Sequence, residues 1–223
     1  MNNNRQTVLI FAAHPDDETI GCGGVIRHHL ARRDRVAVCI VTDGSSTQYP
    51  GNPAKAQRKG RECRAAMALL GVRTVIQLNL PDMKLDTIAH ADLNRILSAV
   101  VARLRPTILY THATTDLNLD HALVAASVAV ISRPGNHRIQ KVYAYEVLSS
   151  SEWSRAVFAP NTFVNIEPYL NMKIRALRAY RTELRPYPHP RSAEGVKILA
   201  RYRGLQAGLR AAEAFRLLVD YGA

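Results

Sequence analysis

Five short apolar runs, each followed by a stretch with helical spacing, constrain this chain more than any other feature. The runs are TVLIFAA (7–13), RVAVCIVTDG (35–44), RTVIQLNLPD (73–82), TILYTH (107–112) and KVYAYEVL (141–148). The first is continuous and rich in β-branched residues, as a strand covered on both faces would be. Between the runs lie helical stretches at about 18–33, 54–72, 88–106 and 118–134. In the second, Cys63, Met67 and Leu70 fall on one side and arginine and lysine on the other, and Gly71 offers a stop. Pro106 ends the third. Strict β-α alternation predicts an α/β fold, with a mostly parallel sheet in an order such as 3-2-1-4-5 and helices on both faces.

A chain of 223 residues with 47% hydrophobic content suits one domain. The alternation weakens after Ser149. A short strand near 162–166 is followed by helices near 168–183 and 192–208. The expectation is an α/β core over 1–149 and a helical C-terminal extension over 150–223 packed on the same domain.

The formal charge is +12, from 30 Lys+Arg against 18 Asp+Glu. Many arginines fall late, among them Arg175, Arg178, Arg181, Arg185 and Arg191. A solvated helical surface accounts for them, with an anionic partner as the alternative reading. Helix-turn-helix, zinc-finger and aromatic stacking signatures are missing, so no nucleic-acid partner is expected. Cys22, Cys39 and Cys63 have no CxxC spacing, which suits buried thiols in a reducing cytoplasm. The N-terminal apolar run is too short for a signal peptide, and no stretch is long enough to span a membrane.

In a doubly wound sheet, ligands sit beyond the carboxyl ends of the strands, where the strand order reverses. In the order 3-2-1-4-5 that point lies between strands one and four. Strand one runs into AHPDDE (13–18) and strand four into THATTDLNLDH (111–121). His14 and Asp17, across a proline-stiffened turn, and His121 near the next helix start make a three-ligand set for zinc with a fourth position open to water. Asp16 is then the candidate general base. Each residue also has a plainer reading. Asp16 or Asp17 would serve as a helix cap, and His121 as a core histidine. The glycines of GCGG (21–24) lack dinucleotide-binding spacing, and the acidic residues beside them would repel a pyrophosphate, which argues against a nicotinamide-dependent dehydrogenase. Those glycines read as places where helix and sheet approach closely.

AHPDDE and DLNLDHALVA (116–125) closely resemble the two signatures of the LmbE-like, or PIG-L, family of zinc-dependent de-N-acetylases. RECRAAMALLGV (61–72) resembles the helix between them, and the tail from 189 to 215 is similar to the end of bacterial sugar-deacetylase members. The resemblance implies a Rossmann-like fold and hydrolysis of an acetamide on an N-acetylglucosamine-type sugar. Position by position it implies His14, Asp17 and His121 as metal ligands and Asp16 as base, in agreement with the spacing. Other divalent metals would suit such a site as well as zinc. Several branches carry a histidine where this chain has Asn118, whose amide can donate to an oxyanion but cannot deliver a proton. His189 is one candidate for that proton, and His112 a weaker one. Asp116 and Asp120 would orient ligand histidines, or cap the helix. Arg61 is a candidate substrate contact, whereas Thr42 and Ser45 suit a turn.

The expected substrate is thus a small amino-sugar derivative. The basic tail would favour an anionic conjugate. A thiol conjugate or an antibiotic precursor would be cleaved by the same site, and homo-oligomer formation is left open.

Overall fold

The computed structural model describes residues 5–135, 138–154 and 156–222. The chain alternates β1 (Thr7–Ala12), α1 (Asp17–Ala31), β2 (Arg35–Thr42), α2 (Pro53–Leu70), β3 (Thr74–Leu80), α3 (His90–Leu104), β4 (Ile108–His112), α4 (Leu119–Ile131) and β5 (Lys141–Tyr145). There follow β6 (Thr162–Asn165), α5 (Leu170–Leu177), α6 (Ala193–Gln206) and β7 (Ala212–Asp220).

One sheet runs β3-β2-β1-β4-β5-β7-β6. The first five strands are parallel and in the expected order. Val8 of β1 pairs with Val36 of β2 on one side and with Ile108 of β4 on the other. Alternation along β1 explains why its sequence is apolar throughout. Val8, Ile10 and Ala12 enter a core shared with α1, α2 and α5, while Leu9, Phe11 and Ala13 enter a second core beneath α3 and α4. A strand with both faces covered has no polar face. The result is helix, sheet, helix.

The extension has the short strand expected near 162–166, as β6, and adds one that the expectation of helices after it did not contain. Residues 212–220 form β7, antiparallel to β5 (Val142 opposite Val219) and to β6 (Val164 opposite Glu213). AEAF has weak strand propensity and follows an amphipathic helix, so local sequence gives no warning. Pairing on both edges and burial of Phe215 override that preference. Lys173 of α5 donates to Glu213 at 2.6 Å, and both side chains are buried. Glu213 in turn accepts from the Gly24 and Val25 amides of α1 at 2.7 and 2.6 Å, tying the extension to the core.

Two glycines of GCGG act through absent side chains. A Cβ on Gly21 would stand 2.3 Å from the Tyr145 ring, and one on Gly24 would stand 2.4 Å from Ile166. Both are close approaches of α1 to its neighbours. Among the described residues no helix is long and apolar enough to cross a membrane.

Candidate metal centre

The carboxyl ends of β1 and β4 are adjacent, and the two acidic, histidine-bearing segments meet there. The chain leaves β1 with Ala13 N donating to His112 Nε2 at 2.8 Å, and Ala13 O accepting from Thr42 N and Oγ1 at 2.9 and 2.8 Å. Thr42 is thus the last residue of β2 rather than part of the turn expected for it, whereas Ser45 is buried in the segment that follows, its amide donating to Asp43 Oδ1. His14 N donates to Asp17 Oδ2 at 2.8 Å, which closes the HPDD turn.

Three ligand-type atoms from the two segments face one another. His14 Nδ1 lies 3.1 Å from His121 Nε2, Asp17 Oδ2 lies 3.3 Å from His14 Nδ1, and His121 Nε2 lies 3.2 Å from Asp17 Oδ2. The corners of a tetrahedron around zinc, with bonds of 2.0–2.1 Å, are about 3.3 Å apart. The outer nitrogens fix the tautomers. His14 Nε2 is 3.1 Å from Asp120 Oδ2, and His121 Nδ1 is 3.2 Å from Asp116 Oδ1. A proton on each outer nitrogen leaves both inner lone pairs aimed at the same point as the Asp17 carboxylate. This donor set fits a divalent cation of the zinc type.

His14 also sits in a second acidic cluster with Asp82 and Asp120. Its Nε2 carries the proton whenever Nδ1 is a ligand, so those carboxylates act as acceptors rather than as a second cage. Asp120 additionally accepts from Met83 N and Leu85 N, at 2.8 and 3.1 Å, which fixes the loop after β3. Burial alone would lower the His14 pKa, but hydrogen bonds to Asp120 and Asp17 raise it to about 10.

Asp116 is pinned by Ser150 and, at 2.6 Å, by Ser151. His112 is fully buried and stacks on His121, with centroids 3.9 Å apart and an interplanar angle of 13°. Burial pushes its pKa well down, so it packs as a neutral plate behind the ligand.

Asp16 precedes α1 with φ 122°, in the left-handed half of backbone space, and makes no side-chain cap bond. Asp16 therefore stands at the cap position without a side-chain cap bond, and Asp17 is the first residue of α1, its Oδ2 accepting from His14 N. The Asp16 carboxylate is buried, with Oδ2 held by Arg191 and Oδ1 without a partner among the described residues. Burial raises its pKa, Arg191 opposes the rise, Asp17 and Glu183 add to it, and the result is about 6. Asn118 caps α4, with Oδ1 accepting from Asp120 N and His121 N at 2.9 and 3.4 Å. Its Nδ2 lies at the cavity wall, 3.4 Å from Met83 Sδ.

A cavity of about 300 Å³ opens over the three ligand atoms. Lys59, Asp82, Glu183 and Arg191 line it, none of them expected from sequence. Two expected residues stand elsewhere. His189 is exposed and outside the lining, where its Nδ1 accepts from Arg191 N at 3.0 Å. Rigid turns at Pro188 and Pro190 carry it past the site and let Arg191 turn in. Arg61 is exposed on α2 and lines a neighbouring depression with Arg64, outside the lining of the cavity, with Pro15 common to both.

This fold, with two histidines and a carboxylate converging at its switch point, defines an α/β protein with a candidate metal centre. Residues 9–132 match the PIG-L family, GlcNAc-PI de-N-acetylase, and the chain belongs to it. It is 29% identical over 189 residues to "Uncharacterized deacetylase YaiS" of Escherichia coli (strain K12), covering 81% of this chain and 93% of that protein. The N,N'-diacetylchitobiose deacetylase of Pyrococcus horikoshii superposes with a TM-score of 0.78 at 22% identity, covering 97% of this chain and 85% of that one. GalB, the 4-carboxy-2-hydroxymuconate hydratase of Pseudomonas putida KT2440, superposes with a TM-score of 0.79 at 21% identity over 98% of both chains. The last two likenesses establish the fold, and a hydratase among them means that the fold alone does not fix the reaction.

Proposed function

We propose that this chain is a metal-dependent hydrolase that removes the acetyl group from an N-acetylated amino sugar or its conjugate, releasing acetate and a free amine. The observation that carries the reading is the convergence of His14, Asp17 and His121 beside a buried carboxylate with one free oxygen. Membership of the de-N-acetylase family and the name of the Escherichia coli relative point to the same bond.

His14, Asp17 and His121 would hold the ion, zinc being the first candidate. A divalent cation there supplies an acidified water and polarises an acetamide carbonyl. Asp16, which lines the cavity with Oδ1 buried and without a partner among the described residues, takes the proton of the attacking water. Arg191 grips Oδ2 and keeps the carboxylate ionised despite its burial. Asn118 Nδ2 offers a hydrogen bond to the oxygen that gains negative charge. As the C–N bond breaks, the leaving nitrogen needs a proton. With His189 outside the cavity, Asp16 returns the one it took. Asp120 and Asp116 hold the His14 and His121 rings in orientation.

The test is a deacetylation screen following acetate release across N-acetyl sugars, nucleotide sugars and thiol glycosides, with and without added zinc. Zinc-dependent acetate release from an N-acetyl sugar is expected. Acetate release that survives complete metal removal contradicts the reading.

A further inference from the structure

Much of the net charge of +12 has one place in the fold, and it is not the metal centre. The five parallel strands start at the end of the sheet opposite the cavity, and an arginine stands at or just before each start. In spatial order these are Arg73 before β3, Arg35 at the start of β2, Arg5 before β1, Arg105 before β4 and Arg138 before β5. Backbone bonds hold the starts level. Arg35 N donates to Gln6 O at 2.8 Å, Thr107 N to Thr7 O at 2.8 Å and Gln140 N to Thr107 O at 2.7 Å. With neighbouring strands about 4.8 Å apart, the row spans about 20 Å. Four more arginines flank it at helix ends. Arg32 and Arg33 follow α1 on one face of the sheet, while Arg103 in the last turn of α3 and Arg133 after α4 lie on the other. All nine are exposed.

Nothing acidic offsets them. The segments that build this end, 5–7, 30–36, 70–75, 102–108, 131–141 and 218–222, hold two acidic residues, Asp34 and Asp220, and residues 1–4 and 223 add no acidic side chain. Asp34 is buried and bonded to His29 and to Gln6 N, and Asp220 pairs with Lys141 at 3.0 Å. The arginines that do pair among the described residues, Arg58, Arg95, Arg191, Arg203 and Arg210, all lie elsewhere. Two of the nine also sit where arginine is a poor fit. Arg33 and Arg105 have φ of 67° and 49°, the left-handed conformation that ends helices and that glycine adopts most readily. Helix dipoles account for cations after α1, α3 and α4, but not for Arg5, Arg35, Arg73 and Arg138, which lead strands.

We propose that this end of the sheet docks on an anionic phospholipid surface. A linear polyanion would be met by one row or by a groove. Here the cations spread from the row onto both helix layers, as a planar array of phosphates requires. Tyr221, the exposed aromatic ring of these segments, has its hydroxyl on Ser132 O, so the face offers charge rather than stacking. The six residues of β1, at about 3.3 Å each, put the cavity about 20 Å from the face, so the docked protein turns its metal centre toward solvent. Each arginine near an anionic bilayer is worth about fivefold in affinity, an attraction that salt screens. The proposal does not depend on which reaction the site performs.

The experiment is co-sedimentation of the full chain with vesicles of phosphatidylcholine alone and of phosphatidylcholine with one-third phosphatidylglycerol, at low and high salt, beside a titration with duplex DNA. Binding to the phosphatidylglycerol vesicles at low salt is expected, with release at high salt and none to phosphatidylcholine alone. Arg5→Gln, Arg73→Gln and Arg138→Gln together should weaken it by about 10²-fold. Arg175→Gln, Arg178→Gln and Arg181→Gln together remove the same charge from exposed positions in and after α5 and should weaken it far less. Arg105→Gly should weaken it about fivefold without lowering Tm, since glycine suits that backbone. Absence of binding to the phosphatidylglycerol vesicles, or equal affinity of the two triple variants, overturns the proposal. Tighter binding to duplex DNA than to these vesicles, at equal phosphate concentration, also overturns it and assigns the face to nucleic acid.

Discussion

Arg191 and Asp16, 175 residues apart in sequence, form an ion pair at the edge of the cavity, Asp16 buried and Arg191 partly exposed, with Arg191 Nη2 on Asp16 Oδ2. The pair joins the loop before α6 to the turn after β1. Its geometry leaves the second Asp16 oxygen free, which is the state a general base needs. The Arg191 guanidinium is itself braced by Glu183 at 3.2 Å.

Arg191 is therefore a positioning residue. Arg191→Ala should lower kcat by about 10²-fold or more, since it leaves a buried carboxylate unpaired and free to turn. Bound zinc should stay stoichiometric and KM should move less than kcat. Arg191→Lys should recover only part of the rate, because Nη2 alone meets both carboxylates and the shorter lysine side chain carries its ammonium less far. Loss of zinc in parallel with activity would contradict this assignment.

Asp16→Asn should retain the metal and lose at least about 10³-fold in kcat, because an amide accepts no proton. Metal content by elemental analysis and acetate release together decide it. An active Asp16→Asn enzyme removes Asp16 from the base role.

Much of this arrangement was legible in the sequence, for a definite reason. The β-α alternation sets a strand order, and the order puts the ends of β1 and β4 side by side. His14, Asp17 and His121 needed no further information to be placed together. Lys59, Asp82, Glu183 and Arg191 were not legible, because they reach the cavity from α2, from the segment after β3 and from the α5–α6 connection, and none stands in a pattern. Arg191 in particular is one of many arginines in the tail, and only the path of the chain around Pro190 separates it from His189 two residues earlier. β7 escaped because its strand character comes from β5 and β6 on its flanks, not from AEAF itself.

Gly21→Ala tests the close approach of α1 to the sheet. The new methyl would meet the Tyr145 ring at 2.3 Å, and Tyr145 is fully buried with its hydroxyl donating to Phe11 O at 2.7 Å. The ring has no room to move. A loss of about 1–3 kcal/mol in urea unfolding is expected, exceeding the helix-propensity gain of alanine of about 1 kcal/mol. A stabilised variant would contradict the packing.

His29 is buried between Asp34, at 2.7 Å, and the Tyr110 hydroxyl, at 3.0 Å. Burial lowers its pKa below 6.5, and Asp34 only partly restores it. Folding therefore releases a proton from this group. Its contribution to stability is whole above pH 6.5 and is lost as pH falls through the folded-state value. Unfolding free energies at pH 8 and pH 5.5 should fall more steeply in the parent than in His29→Gln. Identical falls would show that His29 does not titrate in this way.

If the three ligand atoms share one ion, zinc binds the native state and raises its stability, by about 2.7 kcal/mol at a hundredfold excess over Kd. Added zinc should raise Tm in the parent, and His121→Ala should abolish the rise. An undiminished rise in His121→Ala would place the ion elsewhere.

The most direct measurement is an anomalous difference map, at the zinc absorption edge, from crystals grown with zinc. One peak is predicted within about 2.0–2.2 Å of His14 Nδ1, Asp17 Oδ2 and His121 Nε2 together. A fully loaded protein whose peak lies away from these three atoms, or which places His14 and His121 too far apart to share an ion, would contradict the account.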